Sequence, residues 1–140
     1  DIYDVLNSIF TQAIEENLRD VAEGGSFYEE YLKAASLLVQ YRDVVIHVYN
    51  SKNRDIVTNY LERVTAEIVK GYIARKSEGQ NISDKDLEFI SYFYSYAIIG
   101  STYKWIESGM KADFEYFIGK IADSIDATLP VMISKAGKAD

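Results

Sequence analysis

The chain has 140 residues, 15 Lys and Arg against 22 Asp and Glu, a formal net charge of −7 and no cysteine. That is one domain's worth of chain, long enough to bury a core without staples, and it excludes disulfides, thiolate metal sites and thiol catalysis. The scattered cations leave nothing to track a phosphate backbone, and one proline with long periodic segments argues for an all-α fold.

From its first residues the chain follows a helical period. Ile2, Val5, Leu6, Ile9, Phe10, Ala13, Ile14 and Leu18 form a continuous apolar stripe, with Glu15, Glu16, Arg19 and Asp20 outside it. This first helix is expected over 1–23, and because it opens in mid-pattern without a Met, the chain reads as a fragment lacking an N-terminal part. No signal peptide is visible. Gly24 and Gly25 are expected to end the helix, and Ser26 followed by Glu29 is a capping box that starts the next at Phe27. That helix carries Tyr28, Tyr31, Leu32, Ala35, Leu38 and Val39, and a break is expected near 40–42. The segment 43–50 is β-branched enough to pass for a strand. With no second strand to pair with, it reads as a short helix.

A long helix is expected over 54–76, with Val57, Tyr60, Leu61, Val64, Ile68 and Tyr72 buried and most charges outside that stripe. The polar connection 77–82 leads to the segment 83–109, capped by Ser83, with Asp84 and Asp86 in its first turn and Gly109 as its stop. One face of this segment holds Leu87, Ile90, Tyr94, Ala97, Ile98, Ser101 and Trp105, and a second holds Phe89, Phe93, Tyr96, Gly100 and Tyr103. Apolar and aromatic groups therefore cover most of its circumference, and a soluble helix of that kind must be covered on two sides. A chain this short supplies one cover, so the other is read as a subunit interface. The apolar stretch 92–106 is interrupted by serines, a threonine and a lysine and is too short to span a bilayer. Asp113 should cap a last helix ending near Pro130, with Phe114, Phe117, Ile118, Ile121, Ile125 and Leu129 on one face, and 134–140 is expected to be a disordered tail. The domain is taken as 1–133.

Catalytic readings do poorly against this inventory. The only histidine, His47, lies in an apolar helix and reads as a core residue; no nucleophile elbow, glycine-rich loop or Glu-x-x-His pair accompanies it. Carboxylate pairs such as Glu15 with Glu16 and Asp123 with Asp126 read as solvated surface. The chain is not read as an enzyme, and no cofactor or metal is expected. Twelve tyrosines and six phenylalanines, however, exceed what a small core needs. Buried tyrosines need hydroxyl partners, and a group of them also suits an apolar pocket with a few polar fingers.

Three stretches carry a family resemblance. DIYDVLNSIF, with Asp4, Val5 and Leu6, resembles the segment that follows the helix-turn-helix domain of TetR-type regulators. LLVQYRDVVIHVYNS, 37–51, resembles the break between two helices in that family. Most specific is YFYSYAIIGSTYKWIESGMK, 92–111, where Ala97, Gly100 and Trp105 precede Glu-Ser-Gly-Met; it is similar to the C-terminal domain type common among Firmicutes regulators. The resemblance implies a cytoplasmic, ligand-sensing and dimerising C-terminal domain of about six helices, acting on DNA only through an N-terminal domain absent from this chain, with no membrane role. In that reading the helices 83–109 and 113–130 pair with their copies in a homodimeric four-helix bundle burying about 1,600 Å² or more. The interface residues are Phe89, Phe93, Tyr96, Gly100, Tyr103, Ile121 and Ile125. Gly100, lacking Cβ, would let a helix approach closely, and Trp105 fills the core. Tyr31, His47, Tyr60, Tyr94 and Ser101 would wall a pocket for a small apolar or aromatic effector. The alternative is a helical protein-interaction module with a filled core.

Overall fold

The computed structural model describes residues 1–23 and 25–137, without the side chains of 20–23. Gly24, one of the two expected stop residues, and residues 138–140 of the expected tail lie outside the described residues. Six helices follow in order: α1 (Ile2–Glu23), α2 (Phe27–Gln40), α3 (Arg42–Tyr49), α4 (Asp55–Lys76), α5 (Asp84–Glu107) and α6 (Phe114–Gly137). No strand occurs among the described residues, and the β-branched segment at 43–50 is helical up to Tyr49. The fold is an all-α bundle, as composition and periodicity require.

Most boundaries have a local cause in the sequence. Ser26 Oγ accepts the Glu29 amide at 3.1 Å, and Ser83 Oγ accepts that of Asp86 at 3.1 Å, each satisfying an orphan donor of a first turn. Asp113 Oδ1 accepts the amides of Glu115 and Tyr116 at 2.9 and 3.3 Å and so starts α6. Tyr41, at φ −110° and ψ 34°, separates α2 from α3. Gly109 takes φ +82°, its amide donates to the Ile106 carbonyl and the Met110 amide to that of Trp105, both at 2.9 Å. These are the paired reverse bonds of a Schellman ending, which a glycine at that position makes possible.

One expected boundary is wrong. α6 does not stop at Pro130 but continues to Gly137, so residues 134–137 of the expected tail are helical. A proline in a helix interior loses one backbone hydrogen bond and costs about 3 kcal/mol. Packing on either side offsets it: Leu129 and Ile133 are 1 % and 0 % exposed, while Pro130 itself faces out.

The centre of the bundle is α4, which packs against all five other helices, whereas α5 packs chiefly on α4 and α6. α4 earns that position with a wide stripe of Val57, Tyr60, Leu61, Val64, Ile68, Val69, Tyr72 and Ile73, all buried. Trp105 fills the core at the α5–α6 turn. Its ring stacks on Phe117 at 5.1 Å and its Nε1 donates to the Ala112 carbonyl at 3.2 Å, tying the two helices at one end. No described helix is long and apolar enough to cross a membrane.

Candidate functional site

Two surface features of α5 stand apart from the packed interior. The first is its outward face. Phe89, Phe93 and Tyr96 are 46 %, 54 % and 63 % exposed, and Phe89 and Phe93 stack on one another at 5.8 Å. One turn beyond Tyr96 lies Gly100, where an added Cβ would meet nothing within 4 Å. Along this flank the Tyr94 hydroxyl donates to Thr128 Oγ1 at 2.8 Å, which fixes exposed Thr128 and, one turn back, Ser124 beside α5. Helical spacing places exposed Val131 on the same side of α6.

The second feature is a groove of about 470 Å³ between α4 and α5. Its α4 wall is Glu62, Ala66 and Lys70, at i, i+4 and i+8. Its α5 wall is built from Leu87, Ser91, Tyr92, Ser95, Tyr96 and Ile99, with Asp84 and Glu88 at one end. Both walls are stripes of helical period, and the small side chains at 66, 91 and 95 leave unfilled the space that bulkier ones would occupy. The lining is mainly apolar, the volume falls in the range of small-molecule sites, and the rim is charged.

The residues expected to wall a single pocket are not brought together. Tyr31 is fully buried and pairs with Thr102 Oγ1 at 2.6 Å; because the Thr102 hydroxyl donates to the Ile98 carbonyl, Tyr31 is the donor. Burial pushes its hydroxyl up to about 12. Tyr60 is buried, stacks on Phe10 at 4.2 Å and donates to the Ala34 carbonyl at 2.8 Å, and burial likewise raises its pKa. Tyr94 is committed to Thr128 between α5 and α6. Ser101 is exposed, with its hydroxyl turned back to the Ala97 carbonyl at 2.7 Å. His47 is exposed as well, correcting its reading as a core histidine; its ring lies 6.4 Å from that of Tyr3. Apolar α3 buries only Val45, Val48 and Tyr49, and position 47 falls on the opposite side.

The expected interface set divides. Phe89, Phe93, Tyr96 and Gly100 lie on the open face, but Ile121 and Ile125 are 9 % and 4 % exposed and belong to the chain's own core, in register with Ile118, Ala122 and Leu129. Tyr103 is half-buried, its ring 5.7 Å from that of Tyr49, and burial followed by the Glu62 charge pushes its hydroxyl up to about 12. Asp126, expected to be plain solvated surface, accepts the Tyr72 hydroxyl at 2.6 Å and ties α4 to α6. The groove residues were overlooked. Ser91 and Ser95 looked like interruptions of an apolar run, when small polar residues one turn apart between two aromatic faces were the signal for a seam. Among the described residues no group of three or more His, Asp or Glu side chains could hold a metal ion.

The bundle buries Tyr31, Tyr60 and Tyr94 against threonines and a backbone carbonyl, and leaves an aromatic face of α5 and an apolar groove beside it open. The TetR_C_8 model, described as the transcriptional regulator C-terminal region, matches residues 25–127. The chain therefore belongs to this family of TetR-type C-terminal regulatory domains. TetR-family regulators typically act as dimers. No curated protein and no solved structure matches the chain.

Proposed function

We propose that this domain is the dimerising, effector-sensing half of a TetR-type transcriptional regulator. Two copies join through the outer face of α5 and the adjoining flank of α6, and a small apolar or aromatic effector shifts the orientation of α1, which carries a DNA-binding domain in the parent protein. DNA is contacted only through that domain, and the setting is cytoplasmic. The observation that carries this reading is the face at Phe89, Phe93, Tyr96 and Gly100, which its own chain leaves open. Withdrawing the exposed half of three such rings from water is worth about 1 kcal/mol each, a drive toward a second copy.

α4 supplies the route from effector to α1. It forms one wall of the groove and is also the helix against which α1 packs most extensively, with Phe10 of α1 stacked on Tyr60 of α4. An effector in the groove acts on α1 only insofar as it binds one α4 position better than another. The second reading, a protein-interaction module with a filled core, draws support from the satisfied hydroxyls of Tyr31, Tyr60 and Tyr94.

Gly100→Leu tests the interface with opposite signs. The isolated chain has room for the side chain, and a helix gains about 0.5–1 kcal/mol when a glycine is replaced. In the proposed dimer the same side chain intrudes where two helices meet. The expected outcome in size-exclusion chromatography and thermal melts is a dissociated, well-folded chain; a variant that dimerises unchanged contradicts the proposal.

A further inference from the structure

The α4–α5 groove carries information about what would fill it. Glu62, Asp84 and Glu88 line it against a single lysine, Lys70, so its rim is acidic by two charges, within a chain of net charge −7. None of these four side chains is held in an ion pair or side-chain hydrogen bond among the described residues. Their field acts on whatever enters the groove. The lining adds two exposed aromatic rings, Tyr92 and Tyr96, a side-chain type whose face attracts cations, and the apolar side chains of Leu87, Ala66 and Ile99.

Ser95 supplies an independent sign of a ligand. It lines the groove, is 8 % exposed, and its hydroxyl makes no hydrogen bond among the described residues. By contrast, the hydroxyls of Ser101, Thr102, Ser124 and Thr128 in α5 and α6 turn back to the carbonyl four residues earlier. Its oxygen is not sealed off: it opens into the groove, where water or a polar group of a ligand can pair with it. Ser91, one turn before, also lines the groove without a hydrogen bond.

We infer that the groove is a binding site for a lipophilic organic cation: an apolar or aromatic body seated between Ala66, Leu87, Tyr92 and Ile99, its positive charge toward Glu62 and Glu88, with Ser95 accepting from any N–H the ligand carries. The inference rests on the sensor reading above and specifies the chemistry of its effector. An anionic ligand of the same shape is disfavoured, because it would bring like charge to the acidic rim.

The test uses two ions of closely matched size and shape and opposite charge, tetraphenylphosphonium and tetraphenylborate, titrated into the 140-residue chain by calorimetry. The phosphonium is expected to bind at least about tenfold more tightly. Glu88→Gln, an exposed change that leaves the fold alone, is expected to weaken phosphonium binding about two- to fivefold, and Ala66→Phe, which fills the groove from the α4 side, is expected to abolish it. Equal or tighter binding of the borate, no binding of the phosphonium, or phosphonium binding that survives Ala66→Phe in a folded variant overturns the inference. Phosphonium binding lost instead in Phe93→Ser places the ion on the outer face of α5 and also overturns it. The dimer claim is read separately from sedimentation without ligand, so a failed groove and a failed interface give different results.

Discussion

α4 and α5 are neighbours of nearly equal length, 22 and 24 residues, and they meet along a common seam. Their sequences suggest opposite fates. α4 has charges along one flank, Glu62, Arg63, Glu67 and Lys70, and looks like an ordinary surface helix, yet it is the one that touches every other helix. α5 is apolar or aromatic nearly all round and looks like a central helix, yet it leaves Phe89, Phe93 and Tyr96 about half exposed or more. The difference teaches that the apolar circumference of a helix does not by itself fix its place in the fold, which depends on how many partners its own chain can bring to it. α4 packs against each of the other five helices, and a broad stripe of nine buried residues suffices. α5 comes late in the chain and packs chiefly on α4 and α6, meeting α2 and α3 through Thr102, Tyr103 and Glu107, so its outer aromatic face stays uncovered by its own chain.

That contrast can be broken most forcefully at the centre of α4. Ile68 is fully buried, and Ile68→Ala is expected to cost about 2–5 kcal/mol in chemical denaturation while leaving the stoichiometry of the folded fraction unchanged. Unchanged stability together with a change in association would reverse the roles assigned to the two helices.

Alkaline pH should act on the interior around α4. Tyr31 has an ordinary value of 10.0 unfolded and about 12 folded, because burial penalises the phenolate. With the folded value raised, the unfolded chain releases its proton first. The stabilisation is therefore fully present below pH 10 and is lost as pH rises from there through about 12. Circular dichroism should show a plateau up to pH 10 and cooperative loss above it, delayed relative to free tyrosine ionisation. Ionisation of Tyr31 near its ordinary value with the helices intact would contradict its burial.

Pro130→Ala sharpens the comparison from the side of α6. Restoring the amide to an exposed interior position is expected to raise stability by about 1–3 kcal/mol, read as a higher denaturant midpoint, provided the helix runs to Gly137. No gain would mean that the helix ends at the proline after all. The smallest effect on the single chain is expected at Phe93→Ser: within about 0.5 kcal/mol once the chain is dilute enough to be monomeric, together with a clear weakening of association. A large loss of monomer stability would place Phe93 inside the fold.

Much of the architecture was legible because local signals agree with packing. Ser26, Ser83, Asp113 and Gly109 mark ends that capping chemistry fixes regardless of context. The apolar stripes of α1, α2 and α4 follow a clear period, and one side of each is buried. The misreadings share a cause: at each, tertiary packing outweighed a local cue. Pro130 is carried through by buried Leu129 and Ile133, and Ile121 and Ile125 face inward because they share the buried stripe of Ile118, Ala122 and Leu129. His47 was misplaced because an eight-residue apolar helix looks buried all round when only one side is. The groove escaped notice for a different reason. A cavity is made by what two helices lack at their seam, here Ala66 opposite Ser91 and Ser95, and no single segment displays it.

The claim on which the account depends is that a second copy covers the outer face of α5. Sedimentation equilibrium of the 140-residue chain over a wide concentration range, at physiological salt, addresses it without mutation. The account predicts a species of twice the 15.9 kDa chain mass, dissociating only on dilution and lost in Gly100→Leu. A single species of 15.9 kDa at every concentration would contradict it.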